Sequence, residues 1–323
     1  MPYTVKKRGF LPFLFAAAVL LAALLIPRGE GVAGSELRRE PKAAYPLGEN
    51  LACVSGSGLE LLSPDGGTLS MERRFDPELC ASDGESLLLV SDGAAMILSG
   101  DGSLTELPGE GEVLCTAISG DYAAVSRRSS GYGSAVTFYR GGEAIFTRYT
   151  ALGECRSIAL DGEGGACLSL NSGELAFLSG ADELSRVSAP GAGAVFAVDG
   201  GYCAETDGGI AFYSEKGEPR GQYSGAYAQL RVYSGETYVF TAFTVRRLGA
   251  DGSVKSEAEF PEGIISPALG ETPGAVLPGR CLTHGRDLEI DFEFENKYPA
   301  KYVITYKNAV AAVWHSAAEI HRK

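Results

Sequence analysis

The sequence predicts an all-β fold: a β-propeller of about eight, alternatively seven, four-stranded blades behind one N-terminal transmembrane helix. Three observations point there. A unit of about 36 residues recurs from Leu51 to the C-terminal end. Gly occurs 43 times in 323 residues, beside 15 Tyr and 14 Phe. That is roughly twice the usual Gly share of about 7%, and it favours short strands joined by tight turns. Finally, residues 10–26 form a 17-residue run without a charge.

The charge-free run, FLPFLFAAAVLLAALLI, spans about 26 Å as a helix, the lower limit for crossing a bilayer. Lys6, Lys7 and Arg8 precede it, so the amino terminus should stay cytoplasmic and the body should face outward. A cleaved signal peptide is the competing reading, with Gly31-Val32-Ala33 offering small residues for cleavage. Arg28 and Glu30 lie between the run and that site, and the run is long for a signal core, which favours an uncleaved anchor. The expected organisation is a cytoplasmic tail (1–9), an anchor (10–26), a linker (27–34) and a propeller (35–323). The expected location is the cell membrane, single-pass, with the propeller extracytoplasmic.

The repeat is visible by eye. LACVSGSGLELLSPDG from Leu51, LLLVSDGAAMILSGDG from Leu87, ACLSLNSGELAFLSGAD from Ala166 and YCAETDGGIAFYSEKG from Tyr202 align without gaps. Further copies start at Tyr122, Tyr238 and Val310. The starts are spaced 36, 35, 44, 36, 36 and 72 residues. The last gap is two periods, so a hidden unit is expected near residue 274, in GAVLPGRCLTHGRDLEI. Each unit reads as an apolar inner strand, two apolar middle strands and a polar outer strand such as Glu183–Val187. The final unit ends after its third strand. Residues 35–40 are strand-like and can supply the missing outer strand, closing the ring and hiding two edges.

This layout resembles the quinoprotein-like and WD-repeat-like propellers over about residues 35–323. The Trp-Asp dipeptide of the WD class and the tryptophan docking motif of the quinoprotein class are absent; Trp314 is the only Trp. An N-terminal anchor before a degenerate Gly/Ser-rich propeller is similar to an uncharacterised clostridial group, domain-of-unknown-function family 5711. That resemblance implies no activity and no catalytic residue.

The chain carries 28 basic and 41 acidic residues. Outside the first nine residues the balance is −16, which argues against nucleic acid as a partner. The seven Cys (53, 80, 115, 155, 167, 203, 281) contain no CxxC and mostly sit in apolar runs, so they read as core fillers, with one or two disulfides as the alternative. The three His are His284, His315 and His321, and no GxSxG, HExxH, P-loop or EF-hand pattern occurs. Asp65-Gly66, Asp101-Gly102 and Asp251-Gly252 recur at one phase of the repeat and read as turns rather than calcium loops. No catalytic residue, metal site or cofactor is expected.

One turn stands out. Ser126 to Gly133 accounts for most of the 44-residue spacing. Arg127, Arg128 and Tyr132 in it are the candidate binding residues, two cations and a flat ring suited to an anionic partner group. Arg246-Arg247 reads instead as an exposed strand feature. The expected function is a membrane-anchored binding or scaffolding module with a protein or envelope component as partner, not an enzyme. A cell-envelope hydrolase using carboxylates in the channel is the alternative, and a quinone-dependent redox module a third.

Overall fold

The computed structural model describes residues 32–56, 58–71, 77–151, 153–296, 299–306 and 309–322. The expected tail and anchor, with most of the linker, lie outside them. Among the described residues no helix is long and apolar enough to cross a membrane.

Among the described residues, eight sheets follow one another along the chain, all antiparallel but for one parallel pairing at the inner edge of the last. Blade 1 runs Ala43–Leu47, Asn50–Ser55, Gly58–Leu62, Thr68–Met71. Blade 2 runs Leu79–Ser82, Ser86–Ser91, Ala94–Ser99, Leu104–Leu107. Blade 3 runs Val113–Ser119, Tyr122–Arg128, Ser134–Arg140, Glu143–Thr150. Blades 4, 5 and 6 repeat the plan from Cys155, Val195 and Gln229. The unit expected near residue 274 forms blade 7, with Gly274–Leu277, Arg280–His284 and Ile290–Glu295 beside a two-residue inner strand, Ser266–Pro267. Blade 8 holds Tyr302–Thr305, Ala309–Val313 and Ala317–Arg322.

The middle strands explain the apolar runs. Leu51 and Cys53 pack towards blade 8, whereas Ala52 and Val54 pack towards blade 2. A two-residue side-chain period therefore has both faces buried, and the strand reads as continuously apolar. Leu87, Leu88 and Leu89 are all fully buried. Truncating any one of them to Ala should cost about 2–5 kcal/mol. Outer strands have one neighbour fewer and alternate over most of their length, as in Val254–Glu259. Eight apolar clusters sit one in each wedge between neighbouring blades, the last joining blade 8 to blade 1. That is a closed ring.

The closing strand is Val32–Glu36, paired antiparallel with Ala317–Arg322 from Val32↔His321 to Glu36↔Ala317. Closure by the N-terminal segment is as expected, but it starts three residues earlier than 35–40, so Val32 to Gly34 belong to the sheet rather than to a linker. The strand ends where Leu37 turns into the core of the blade 8/blade 1 wedge, and Glu40 beyond it accepts from Lys301 Nζ at 2.8 Å. The Asp-Gly turns also behave as read. Gly66, Gly102 and Gly252 have φ of 83°, 84° and 77°, and each donates to the carbonyl three residues back at 2.9 Å.

Candidate functional site: the outer rim of blade 3

Blade 3 has the longest strands of the ring. Its second strand runs to Arg128, so Arg127 is a strand residue and not part of a solvated turn. Ala123 and Val125 face the wedge against blade 2, and Arg127 follows them by the strand period. It is 4% exposed. Its Nη1 donates to Tyr139 Oη at 3.1 Å, and that hydroxyl donates to the Pro108 carbonyl at 2.5 Å. Among the described residues its buried Nε and Nη2 have no hydrogen-bond partner. Gly109 lies against the guanidinium, where a Cβ would come within 2.7 Å of Cζ.

Arg128 points the other way, half-exposed, between Glu112 at 3.0 Å and Glu154 at 3.3 Å. Its charge is matched by acids on the links into and out of blade 3. The structure thus brings Arg128 and Tyr132 to one rim and takes Arg127 inside. The turn itself is 129–133, and its base is pinned. Gly133 N donates to the Thr150 carbonyl at 2.7 Å, and Ser134 Oγ and Thr150 Oγ1 are 2.8 Å apart. Cys155 N donates to Ser134 Oγ at 3.1 Å, tying the base to blade 4.

Tyr132 is 52% exposed and lies against Tyr149, 54% exposed, with ring centroids 4.8 Å apart. Tyr149 sits on the outer strand Glu143–Thr150. Phe146 and Arg148 of that strand face blade 4, where Arg148 pairs with Glu183. Thr147 and Tyr149 face the other side; Ile145, left unpaired at a bulge, is also exposed. The result is an exposed Tyr132–Tyr149 pair on a rigid sheet, with Ile145 exposed further along the same strand. Reading the turn alone missed Tyr149 and Ile145. For Tyr149 the signal was available in the alternation of FTRYT, which puts its ring at an outward position.

The channel holds a cavity of about 610 Å³ lined by the inner strands, with Asp83, Ser119, Ser234 and Glu271 towards one mouth. Asp83 is tied up in backbone: Oδ1 accepts from Glu85 and Ser86 N–H at 3.0 and 2.8 Å, and Oδ2 from Gly120 N–H at 2.7 Å. A second cavity of about 460 Å³ lies by blades 6 and 7. Glu236 there accepts from Arg247 at 3.0 Å and from Arg286 at 2.7 Å. Burial pushes its carboxyl up, but the two guanidiniums outweigh burial and hold it below the usual range. Arg247 also pairs with Asp287 at 3.1 Å, and Arg246 with Glu257 at 3.0 Å. Both arginines are half-buried ion-pair members, not exposed strand features, because blades 5 and 7 flank them.

The three histidines sit apart. His284 is buried against Phe260, pushed down by burial despite the Leu288 carbonyl 3.2 Å from its Nδ1. His321 stacks on Phe294 at 4.0 Å. His315 meets Glu40 at 2.7 Å. Six of the seven Cys are buried, and Cys80 is half-buried, as core fillers should be.

No family model and no curated protein matches the chain, so the resemblance to domain-of-unknown-function family 5711 rests on layout alone. Solved structures do match. BamB from Moraxella catarrhalis is 15% identical over 90% of this chain and 98% of its own, with a TM-score of 0.57. The C-terminal WD40 domain of Sif2 is 9% identical over 89% and 97%, with a TM-score of 0.63. PorZ, described as a surface component of the type-IX secretion system of Porphyromonas gingivalis, is 12% identical with a TM-score of 0.53, and this chain spans 42% of it. At such identities the likeness is one of fold alone: the chain is an eight-bladed β-propeller.

Proposed function

We propose that the protein is a membrane-anchored, extracytoplasmic binding module that docks a protein partner on the outer rim of blade 3. The observation that carries this reading is the exposed Tyr132–Tyr149 pair. Two half-exposed rings in contact form an apolar strip that a monomer gains nothing by displaying. Tyrosine is a favoured anchor at interfaces, because it offers a wide, stiff contact surface at small entropy cost. The rim around it is polar, with Arg128 between Glu112 and Glu154 to orient a partner by charge. The pinned base of the turn keeps the strip preorganised. The surface role described for PorZ is compatible with such a use of the fold.

The test is capture from solubilised membranes, with the propeller as bait. Replacing Tyr132 and Tyr149 by Ser should abolish capture of the partner while moving the melting temperature by only a degree or two. Normal capture by that variant removes the rim from consideration. Protease added to intact protoplasts should digest the propeller; protection until lysis overturns the outward orientation.

A further inference from the structure

Seven cysteines leave every pairing open on paper. The fold brings two of them together. Cys115 lies on the inner strand of blade 3, and Cys155 opens the inner strand of blade 4. Their sulfurs are 3.8 Å apart, and Cys115 Sγ also lies 3.4 Å from the Cys155 carbonyl. No other two cysteine sulfurs are in hydrogen-bond contact among the described residues.

Both strands are bulged at this point. The ladder of blade 3 slips between Val113 and Cys115, and that of blade 4 between Cys155 and Ser157. A bulge re-aims a side chain. Here one on each strand turns the two thiols toward a shared spot in the apolar wedge. Cys155 is further held by its N–H bond to Ser134 Oγ. A disulfide needs sulfurs about 2.05 Å apart, so rotation of the two side chains has to close a gap of less than about 2 Å. The neighbouring thiol and burial both push Cys155 up, so in the folded, reduced protein it is a poor nucleophile.

We propose that Cys115 and Cys155 are a modification site: they are joined into a disulfide that staples the innermost strands of blades 3 and 4. The bond is made during folding, by exchange with a disulfide-bearing oxidoreductase. This rests on the extracytoplasmic reading above, since such exchange belongs to oxidising compartments. The Cys115 thiolate attacks the oxidoreductase disulfide, forming a mixed disulfide and releasing one thiolate. The Cys155 thiolate then attacks the Cys115 sulfur and expels the second. Two cysteine thiols are oxidised, the oxidoreductase disulfide is reduced to a dithiol, and the two protons end on it. Both sulfurs are buried once the wedge closes, so exchange takes place while blades 3 and 4 dock, with the thiols already aligned and the wedge still open to the oxidoreductase. The closed loop contains the remaining three strands of blade 3, and so fixes the blade that bears the tyrosine rim.

The experiment is refolding of the full chain from reduced denaturant in a reduced/oxidised glutathione buffer, followed by alkylation and non-reducing peptide mapping. Most molecules should carry a 115–155 linked peptide pair, and added reductant should lower the melting temperature by roughly 5 °C. The Cys115→Ser, Cys155→Ser double variant should lose that response to reductant. Alkylation of both cysteines in the oxidised protein, or a link from Cys115 to any other cysteine, overturns the pairing. If the double variant does not fold, the wild-type map still decides. The same map is made on protein trapped with N-ethylmaleimide in its native membranes. A link formed with glutathione but absent there overturns the staple in the cell, while the outward location is judged separately by protoplast proteolysis and the tyrosine rim by capture.

Discussion

Blades 3 and 7 follow one plan and treat their inner edges differently. In blade 3 the inner strand pairs with its own neighbour from Val113↔Arg127 to Ser119↔Tyr122. In blade 7 the inner strand is only Ser266–Pro267, flanked by single backbone bonds from Ile265 and Ala268 to the next strand. The chain then leaves, and Leu269–Gly270 pairs in parallel with Tyr302–Thr305 of blade 8. Pro267 and Pro273 lack the N–H that a longer ladder would need. Thr305 stitches the seam: its Oγ1 lies 3.1 Å from the Leu269 carbonyl, 2.8 Å from the Thr272 carbonyl and 3.0 Å from Thr272 N. Blade 8 therefore borrows strands at both edges, Leu269–Gly270 inside and Val32–Glu36 outside. The regular blades are self-contained hairpin stacks, whereas the closure region is held by segments distant in sequence.

The sharpest way to break that contrast is at the outer edge. A chain beginning at Ala43 loses the closing strand, its pairs with Ala317–Arg322, Leu37, and the Glu40–Lys301 contact. Its stability should fall by several kcal/mol, read as a melting temperature lower by roughly 10 °C. Trimming the tip of the blade 3 turn at Ser130-Gly131 should change almost nothing.

A smaller effect separates two glycines of equal conformational need. Gly270 has φ of 113° and Gly131 has φ of 96°. A Cβ at Gly270 would meet the Thr305 carbonyl oxygen at 2.2 Å, whereas one at Gly131 meets nothing within 4 Å. Gly270→Ala should cost about 2–3 kcal/mol, from strain plus a parted seam, and Gly131→Ala about 1 kcal/mol from strain alone. Denaturant midpoints of the two variants measure the difference; equal costs would mean that the seam contributes nothing.

The smallest effect is electrostatic and belongs to the blade 3/blade 4 wedge. Hydrogen bonds from Arg186, chiefly, hold the Glu183 carboxyl below its usual range, with Arg148 adding to the pull. Its folded pKa is thus below the unfolded value of about 4.3, so the unfolded chain takes up the proton first. The stabilisation is complete above that value and fades as pH falls through the folded pKa. Glu183→Gln should lower stability at pH 7 by at most about 1 kcal/mol and flatten the loss between about pH 5 and 3. An unchanged acid slope would locate that loss elsewhere, for example at Glu236.

Much of the ring was legible because its information is local. A strand of about six residues, a Gly turn and a second strand form a unit that needs only its own pattern to be recognised. Asp101-Gly102 marks its turn because the backbone there requires a positive φ. The rim was legible only in part. Tyr132 lies where the long turn suggested, but Arg127 obeys the strand period for one residue more than its polarity suggested and ends inside. The sequence offers no local signal for that, since a buried guanidinium beside Gly109 depends on a link from the preceding blade.

By itself, the sequence determined the strand period and the turn positions, and it narrowed the number of units to eight or seven. Each follows from side-chain alternation and backbone preference within some forty residues. Tertiary structure alone decided that Cys115 faces Cys155, that Arg247 meets Asp287 across a wedge, and that blade 7 lends its inner chain to blade 8. Those contacts join residues 33 or more positions apart, and only the packing of one blade against the next brings them within reach.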